Sequence, residues 1–506
     1  MEVLMENLVE QELIALDNVQ LKIEHKNSLP DNAKKLIGVT CQLLGQNTQI
    51  ENSEIVLTGN LVTRLVYMNE FDKFDSEDVT ETFEKKVIIK DHTGINQLFA
   101  SANLINNDWR LVDNKVVCES IVLVNVQGVK AHDLQVVGNL TGEVEVRKEE
   151  HQVLSFTSAL NQQFEISENI QLDATCEGVL GVNVNPNIKD VVADNGKVNV
   201  KGVLLVNILG VKNVDNNTVP YNASHEIDFA KSLAMNGITS EDLAYGVVSV
   251  DGVKMHIENN HQGAVLVLTL DIKFNGSVYT NRKFSMVSDA ISFDKELTFK
   301  TTQLNYVEVL PQVNTTVEIE NNINLAPNTP YISHVVAVDS VRINDLHVSP
   351  ADGKTLLEGV LVLNLMLENE EHVISGDRYE VPFQTYVRME NVEKDCIVNA
   401  SVVPLMVNVK ARRGTELLVD AQLGVTIQAG MQKTMSIVNN LEEGQNKVDD
   451  GSAIRIFIIG EKENLWDLAK RTNLSCASLL QQNPNLENGC TPGERIVVYR
   501  HEKVSL

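Results

Sequence analysis

Val198, Val200, Leu204, Val206 and Ile208 share one parity around Gly202. Alternation with a period of two places such residues on one face of an extended chain and predicts a half-buried strand. The same rule returns at Leu266, Leu268, Leu270, Ile272 and Phe274, and again at Val419, Ala421, Leu423, Val425 and Ile427. These are antiparallel strands with one face on a core.

The pattern also repeats on a longer scale. Three segments align: "EIVLTGNLVTRLVYMNEFDKFDSEDVTETFEKKVII" from Glu54, "KVNVKGVLLVNILGVKNVDNNTVPYNASHEIDFAKSL" from Lys197 and "KTLLEGVLVLNLMLENEEHVISGDRYEVPFQTYV" from Lys354. Each holds a glycine inside the strand (Gly59, Gly202, Gly359) and, after a polar acidic stretch, a phenylalanine (Phe83, Phe229, Phe383). The glycine-to-phenylalanine offsets are 24, 27 and 24 residues. Related openings precede each segment: "IEHKNSLPDN" from Ile23, "ISENIQLDAT" from Ile166 and "IENNINLAPN" from Ile319. A glycine inside a strand marks a bulge or a close backbone approach, with a ligand-facing backbone as the functional alternative.

The fold expected is therefore mainly β, with three tandem β-sandwich-like or open-barrel domains over residues 1–155, 156–305 and 306–438. Strand order is not readable from the pattern. The polar stretch 439–452, "NNLEEGQNKVDDGS", lacks periodicity and is expected to be a linker. From there to residue 506 the rhythm changes to a small βααβ module. "IRIFII" alternates as a strand, Asn464 is placed to cap a helix with Leu465, Leu468 and Ala469 inward, and Ser475 to cap a second with Leu479 and Leu480 inward. Asn483-Pro484-Asn485 and Thr491-Pro492-Gly493-Glu494 supply turns before the closing strand "RIVVYR".

A chain of 506 residues with 43% hydrophobic and 22% charged residues has the composition of a soluble globular protein of several domains. Its formal net charge of -27 argues against nucleic acid or an anionic bilayer as a partner. The N-terminal stretch carries Glu where a signal peptide needs Lys or Arg, and no run of apolar residues is long enough for a membrane span, so a cytoplasmic protein is expected. Cys41, Cys118, Cys176, Cys396, Cys476 and Cys490 are scattered without a CxxC pair, which suits reduced thiols better than zinc or a disulfide framework, although Cys476 and Cys490 lie within one module.

Catalysis needs convergent groups, and the chain has no G-x-S-x-G elbow, H-E-x-x-H helix or Walker-type loop. His256 and His261 flank "HIENNH", and "EEH" occurs at Glu149-His151 and Glu370-His372, but without a third convergent ligand these read as exposed histidines beside carboxylates. The expectation is a non-enzyme without cofactor or metal.

The terminal module resembles a LysM domain over Ile456 to Val498, through Phe457, "NLWDLAK", "LLQQNPNL" and "TPGERIVV". The family's Gly-Asp-Thr before the first helix is Lys462, Glu463 and Asn464 here, and Tyr499-Arg500 stands where many members have Ile-Pro. LysM domains bind N-acetylglucosamine chains between two loops. Transferred by alignment, the groove or partner-binding surface comprises Glu461, Lys462, Glu463, Asn464, Leu465 and Trp466, with Pro484, Asn485, Leu486, Glu487 and Asn488 facing them. Three charged residues where the family has a tight turn favour a protein over a sugar, with peptidoglycan or an N-acetylglucosamine polymer as the alternative ligand.

"VKGVLL" at Val200-Leu205, "LTGNLV" at Leu57-Val62 and "LEGVLV" at Leu357-Val362 are similar to the V-K-G-x-L strand of SPOCS domains. Tandem SPOCS copies followed by one LysM domain look like the spore-coat morphogenetic and encasement proteins of endospore-forming Firmicutes. The resemblance implies a scaffold made in the mother-cell cytoplasm that gathers at the forespore surface. Its LysM domain would dock onto the morphogenetic ATPase of the coat basement layer, and its other domains would recruit coat proteins.

Overall fold

The structure is a computed structural model and describes residues 1–51, 54–88, 95–214, 217–260, 263–447 and 454–499. It is mainly β. A first group of strands comprises β1 (Glu2–Ser28), β2 (Ala33–Glu51), β3 (Glu54–Asn69), β4 (Phe74–Ile88), β5 (Ile95–Val112) and β6 (Lys115–Thr141). A second comprises β7 (Val144–Gln171), β8 (Cys176–Asp194), β9 (Lys197–Val214), β10 (Asn217–Ala234), β11 (Leu243–Asn260) and β12 (Gly263–Ser292). A third comprises β13 (Lys295–Asn324), β14 (Ile332–Ala351), β15 (Lys354–Asn369), β16 (Ile374–Arg388), β17 (Ile397–Arg412) and β18 (Glu416–Asn446).

One strand order recurs in all three. The first, sixth and fifth strands form one antiparallel sheet (β1-β6-β5, β7-β12-β11, β13-β18-β17), and the middle three form another (β2-β3-β4, β8-β9-β10, β14-β15-β16). Short turns set the hairpins. Asp113-Asn114, Asn195-Gly196 and Asp352-Gly353 supply residues at positive φ, which the right-handed twist of a two-residue hairpin demands.

Both sheets of a group contribute to one core. In the second group Leu204, Val206 and Ile208 of β9 meet Leu266, Leu268, Leu270, Ile272 and Phe274 of β12, and all are sealed from solvent. Each such side chain contributes ~2 kcal/mol by leaving water. The first group buries Cys41 and Cys118 with His25, whose Nε2 lies 2.7 Å from the Thr63 hydroxyl. Burial pushes the Cys118 thiol up to about 12, so it is inert. All six cysteines are free.

The repeated glycines and phenylalanines are one device. Gly59 pairs across strands with Phe83, Gly202 with Phe229 and Gly359 with Phe383. Each ring folds over its glycine: a Cβ on Gly202 would lie 2.7 Å from Phe229 Cζ and 2.5 Å from the Asn187 carbonyl, and one on Gly359 2.9 Å from Phe383 Cζ. On the glycine's other side the neighbouring strand bulges, between Leu44 and Asn47, Ile188 and Asp190, and Asn344 and His347. The glycine thus lies beneath a ring and opposite a bulge, which only a residue without a side chain permits.

The expected seams sit elsewhere in the strand map. Positions 155/156 and 305/306 lie inside β7 and β13, and the chain passes between groups at the turns Gly142-Glu143 and Phe293-Asp294. Of the expected linker, residues 439–446 are the end of β18, paired along β13, while 448–452 lie outside the described residues. Polarity misled there because only Leu441 of 440–446 is buried; the segment is held by its ladder rather than by a core face.

The groups close a ring. β2 packs on β11, β8 on β17 and β14 on β5; likewise β4 packs on β8, β10 on β14 and β16 on β2. At one end the long halves of the antiparallel pairs β1/β6, β7/β12 and β13/β18 form a common stem. Val136, Met286 and Ile437 meet with Leu304, and Val137, Val287 and Val438 meet with Leu140, Ala290 and Leu441. At the other end Ile37, Leu180 and Ala337 meet Val66, Leu209 and Met366 in a second junction. Among the described residues no helix is long and apolar enough to cross a membrane.

Candidate functional site

The C-terminal segment folds as a strand β19 (Ile454–Ile458), helix α1 (Leu465–Thr472), helix α2 (Cys476–Gln482), a 3-10 turn Pro484–Asn488 and a strand β20 (Arg495–Tyr499). Asn464 and Asp467 form a reciprocal capping box, each side chain accepting from the other's backbone N–H at 3.1 Å. Ser475 caps α2 by accepting from the Ser478 N–H at 3.0 Å. Leu468, Ala469, Leu479, Leu486, Ile496 and Val498 form the core, completed by Ile291 from the tip of the stem.

The groove residues expected from sequence divide by what they touch. Glu461 and Lys462 are exposed. Glu463 accepts from the Gly460 N–H at 2.7 Å and pairs with Arg471 at 3.0 Å, so its carboxylate shapes the loop. Asn464 is spent on the cap, Leu465 is half-buried and Leu486 belongs to the core. Pro484, Asn485, Glu487 and Asn488 are exposed, with Asn485 donating to Glu494. The two loops are neighbours: burial, then the carboxylates of Glu463, Asp467 and Glu494, push the Cys490 thiol up.

Trp466 does not line an open face. Its Nε1 donates to Asp289 at 2.8 Å, and Lys470 reaches the same carboxylate at 2.5 Å. Beside them Asn473 donates to the Phe293 carbonyl at 2.7 Å, Lys447 bridges Asn473 and the Ser292 carbonyl, and the Cys476 N–H donates to Glu145 at 2.8 Å. Burial, then the Glu145 carboxylate, push the Cys476 thiol up to about 11. The α1 face that sequence marked for a partner is turned onto β12 and β13 of the same chain, through Asp289 and Phe299, while α2 meets β7 at Glu145.

What the module presents instead is the outer face of its two-stranded sheet. Ile454, Ile456 and Ile458 are 58%, 66% and 58% exposed, and Tyr499 beside them is 47% exposed. Sequence reasoning passed over these residues, though the signal was there. In "IRIFII" isoleucine occupies both parities, while helices cover only one face of so small a sheet. An open apolar face suits docking rather than catalysis. Among the described residues no group of three or more His, Cys, Asp and Glu side chains is arranged to hold a metal ion.

The repeat positions Gly59, Gly202 and Gly359, with Phe83, Phe229 and Phe383, are buried in the sheets. In the third group Gly359 and Phe383 also floor an open cleft edged by Asp345, His347 and Glu358. Elsewhere His256 contacts Glu258 at 3.0 Å, and His334 and His372 both contact Glu368, on exposed surface; His261 lies outside the described residues.

No curated protein and no solved structure matches the chain. The model of the family described as SipL, SPOCS domain, matches residues 175–258, a span that begins just before β8 and ends within β11. Its first three strands are the middle sheet of the second group, with Gly202 and Phe229 at its centre. Through that domain the chain resembles the SipL-like spore coat proteins, a family whose context is sporulation.

Proposed function

We propose that this chain is a non-enzymatic scaffold of spore coat assembly. In this reading the three strand groups are tandem SPOCS-type copies that recruit coat proteins. The C-terminal module is a LysM domain that docks onto the morphogenetic ATPase of the coat basement layer, at the forespore surface in the mother cell. The observation that carries it is the SPOCS match on a group whose strand order recurs on both sides of it. The single appended module, with its open apolar sheet face, supports docking to a protein. A glycan groove finds less support, because Glu463 and Asn464 already serve the loop and the helix cap.

The test is capture of the purified ATPase by the full chain and by a chain ending at Lys447 whose β-sheet circular dichroism is retained. Capture only by the full chain is expected. Equal capture by both forms would remove the docking role from the module.

A further inference from the structure

Where β12 ends, Asp289, Ile291 and Phe293 stand at every second residue, and all three meet the terminal module. The Asp289 carboxylate accepts from Trp466 Nε1 at 2.8 Å and from Lys470 at 2.5 Å. Ile291, 1% exposed, belongs to the module core with Leu468, Ala469 and Leu479, and Phe293 packs against the same cluster. The Phe293 carbonyl accepts from the Asn473 amide at 2.7 Å, and the Ser292 carbonyl from Lys447, also at 2.7 Å. The residues between them serve the stem: Ala290 is part of its apolar junction, and the Ser292 hydroxyl donates to Asp294 at 2.6 Å. One face of this extended segment therefore builds the stem, and the other is read by the module.

The seat has the composition of a contact that can exchange. Trp466, Lys470 and Asn473 hold it by hydrogen bonds, and the one aliphatic side chain of the segment sealed in it is Ile291. Contacts of this polar kind between parts of one chain are the ones that open. Six residues, 448–453, separate Lys447 from β19, and so short a connection holds the two parts at an effective concentration of ~1 mM. A segment of modest intrinsic affinity then stays seated in cis, and a second segment of the same pattern that adds contacts of its own takes its place. The exchange leaves no charge stranded. The incoming carboxylate meets the same indole N–H and ammonium, while Asp289, already 25% exposed, returns to water.

We propose that the α1–α2 face of the module is a recognition site for an extended protein segment carrying a carboxylate, an aliphatic and an aromatic residue at alternate positions. Residues 289–293 fill it in cis, and a partner presenting the same pattern displaces them. This goes beyond the docking role proposed above, which the open isoleucine face can serve without it.

A fluorescently labelled peptide copying residues 287–295, titrated into the full chain and read by anisotropy, tests the proposal. Asp289→Lys sets a like charge against Lys470, and Ile291→Ser removes the sealed aliphatic contact, so each empties the site by a different route; retained β-sheet circular dichroism qualifies either variant. Both opened chains should bind the peptide about tenfold more tightly than the native chain, whose site is filled. A peptide with lysine in place of Asp289 should bind none of them. Adding Trp466→Phe to the Ile291→Ser chain should cost about fivefold in peptide affinity, because one hydrogen bond to the carboxylate is gone. Equal binding by native and opened chains, no binding to either opened chain at millimolar peptide, or equal binding of the lysine peptide would overturn the proposal. So would a concentration-dependent dimer of the native chain in sedimentation that Asp289→Lys abolishes, since it would give the face to the stem of a second copy. If ATPase capture needs the module but the opened chains bind no peptide, this inference fails and the docking role stands. If the peptides behave as expected but capture ignores the module, the docking role fails and the recognition site stands.

Discussion

The three strand groups meet twice, and the two junctions are built from different materials. In the stem the contact residues are Val136, Val137, Met286, Val287, Ile437 and Val438, all at most 5% exposed, with aliphatic neighbours. At the other end the apolar centre of Ile37, Leu180 and Ala337 is ringed by polar links that run from each group to another. Arg64 donates to the Val182 carbonyl at 3.3 Å, Asn222 exchanges bonds with the Val338 backbone, and Asn364 donates to the Val39 carbonyl at 3.4 Å. Arg342 donates to the Asn107 carbonyl at 2.8 Å, and Arg378 pairs with Asp108. Apolar packing is non-directional, whereas these bonds fix geometry and register. The stem therefore supplies cohesion, and the polar junction specifies which group sits next to which.

Breaking the stem should have the largest effect. Val287 is 0% exposed at the point where all three strand pairs touch, so Val287→Asp buries an unpaired carboxylate there. A loss of about 4 kcal/mol is expected, read as a fall in the denaturant midpoint, with loss of the cooperative transition as the extreme outcome. A change confined to the wall of one group should cost less. Gly202→Ala places a Cβ 2.5 Å from the Asn187 carbonyl and 2.7 Å from Phe229 Cζ. Overpacking of this kind costs about 2–3 kcal/mol. Gly59→Ala, with 3.0 Å to Phe83 Cζ, should cost less than Gly202→Ala in the same denaturation experiment. Equal costs would mean that the bulge carbonyl does not matter.

Much of the wall was legible in sequence and little of the junctions was. The parity of Val198 to Ile208 and of Leu266 to Phe274 gave the strands and their buried faces, whereas the offset of Phe229 from Gly202 marked the repeat but not that the two residues pair across strands. The stem escaped because its partners are far apart in the chain. Nothing local to Val137 says that it meets Val287 and Val438. The helix caps at Asn464 and Ser475 were readable because capping is a local interaction. The orientation of Trp466 was not, because it is set by Asp289, a tertiary partner. Glu463 likewise looked like a ligand position until its bonds to Gly460 and Arg471 were seen.

The polar junction should also answer to pH where the stem does not. The half-buried Asp339 of β14 lies against Gly38 and faces Arg64, and its buried Oδ2 has no hydrogen-bond partner among the described residues. Burial pushes its carboxyl up to about 6, and the Arg64 charge opposes the rise. The folded chain therefore holds this proton more tightly than the unfolded chain, whose aspartates titrate near ~3.9. Stability from this group is greatest below that lower value, falls as pH rises toward 6, and stays reduced above it. Asp339→Asn cannot ionise, so it should gain on the native chain across this window, by about 2 kcal/mol at neutral pH and by little near pH 4. Denaturant midpoints of the two chains at both pH values check this, and a difference independent of pH would mean that Asp339 does not titrate in the folded chain.

The smallest effect concerns the module seated on the stem. Trp466 Nε1 and Lys470 Nζ converge on Asp289, whose carboxylate is 25% exposed, so the ion pair with Lys470 is partly screened and the indole bond carries the larger share. Trp466→Phe keeps most of the packing and removes one charge-assisted hydrogen bond, a loss of about 1 kcal/mol. Because the bond joins the module to β12, the loss should appear as faster amide exchange in α1 while the sheets of the three groups remain protected. Asp289→Asn should do less, because its carbonyl still accepts from the indole and only the charge is gone. If Trp466→Phe instead lowered exchange protection in the stem as well, around Val287 and Val438, the module would be part of the apolar junction rather than its cap. The contrast between the two junctions would then have to include a fourth partner at the stem.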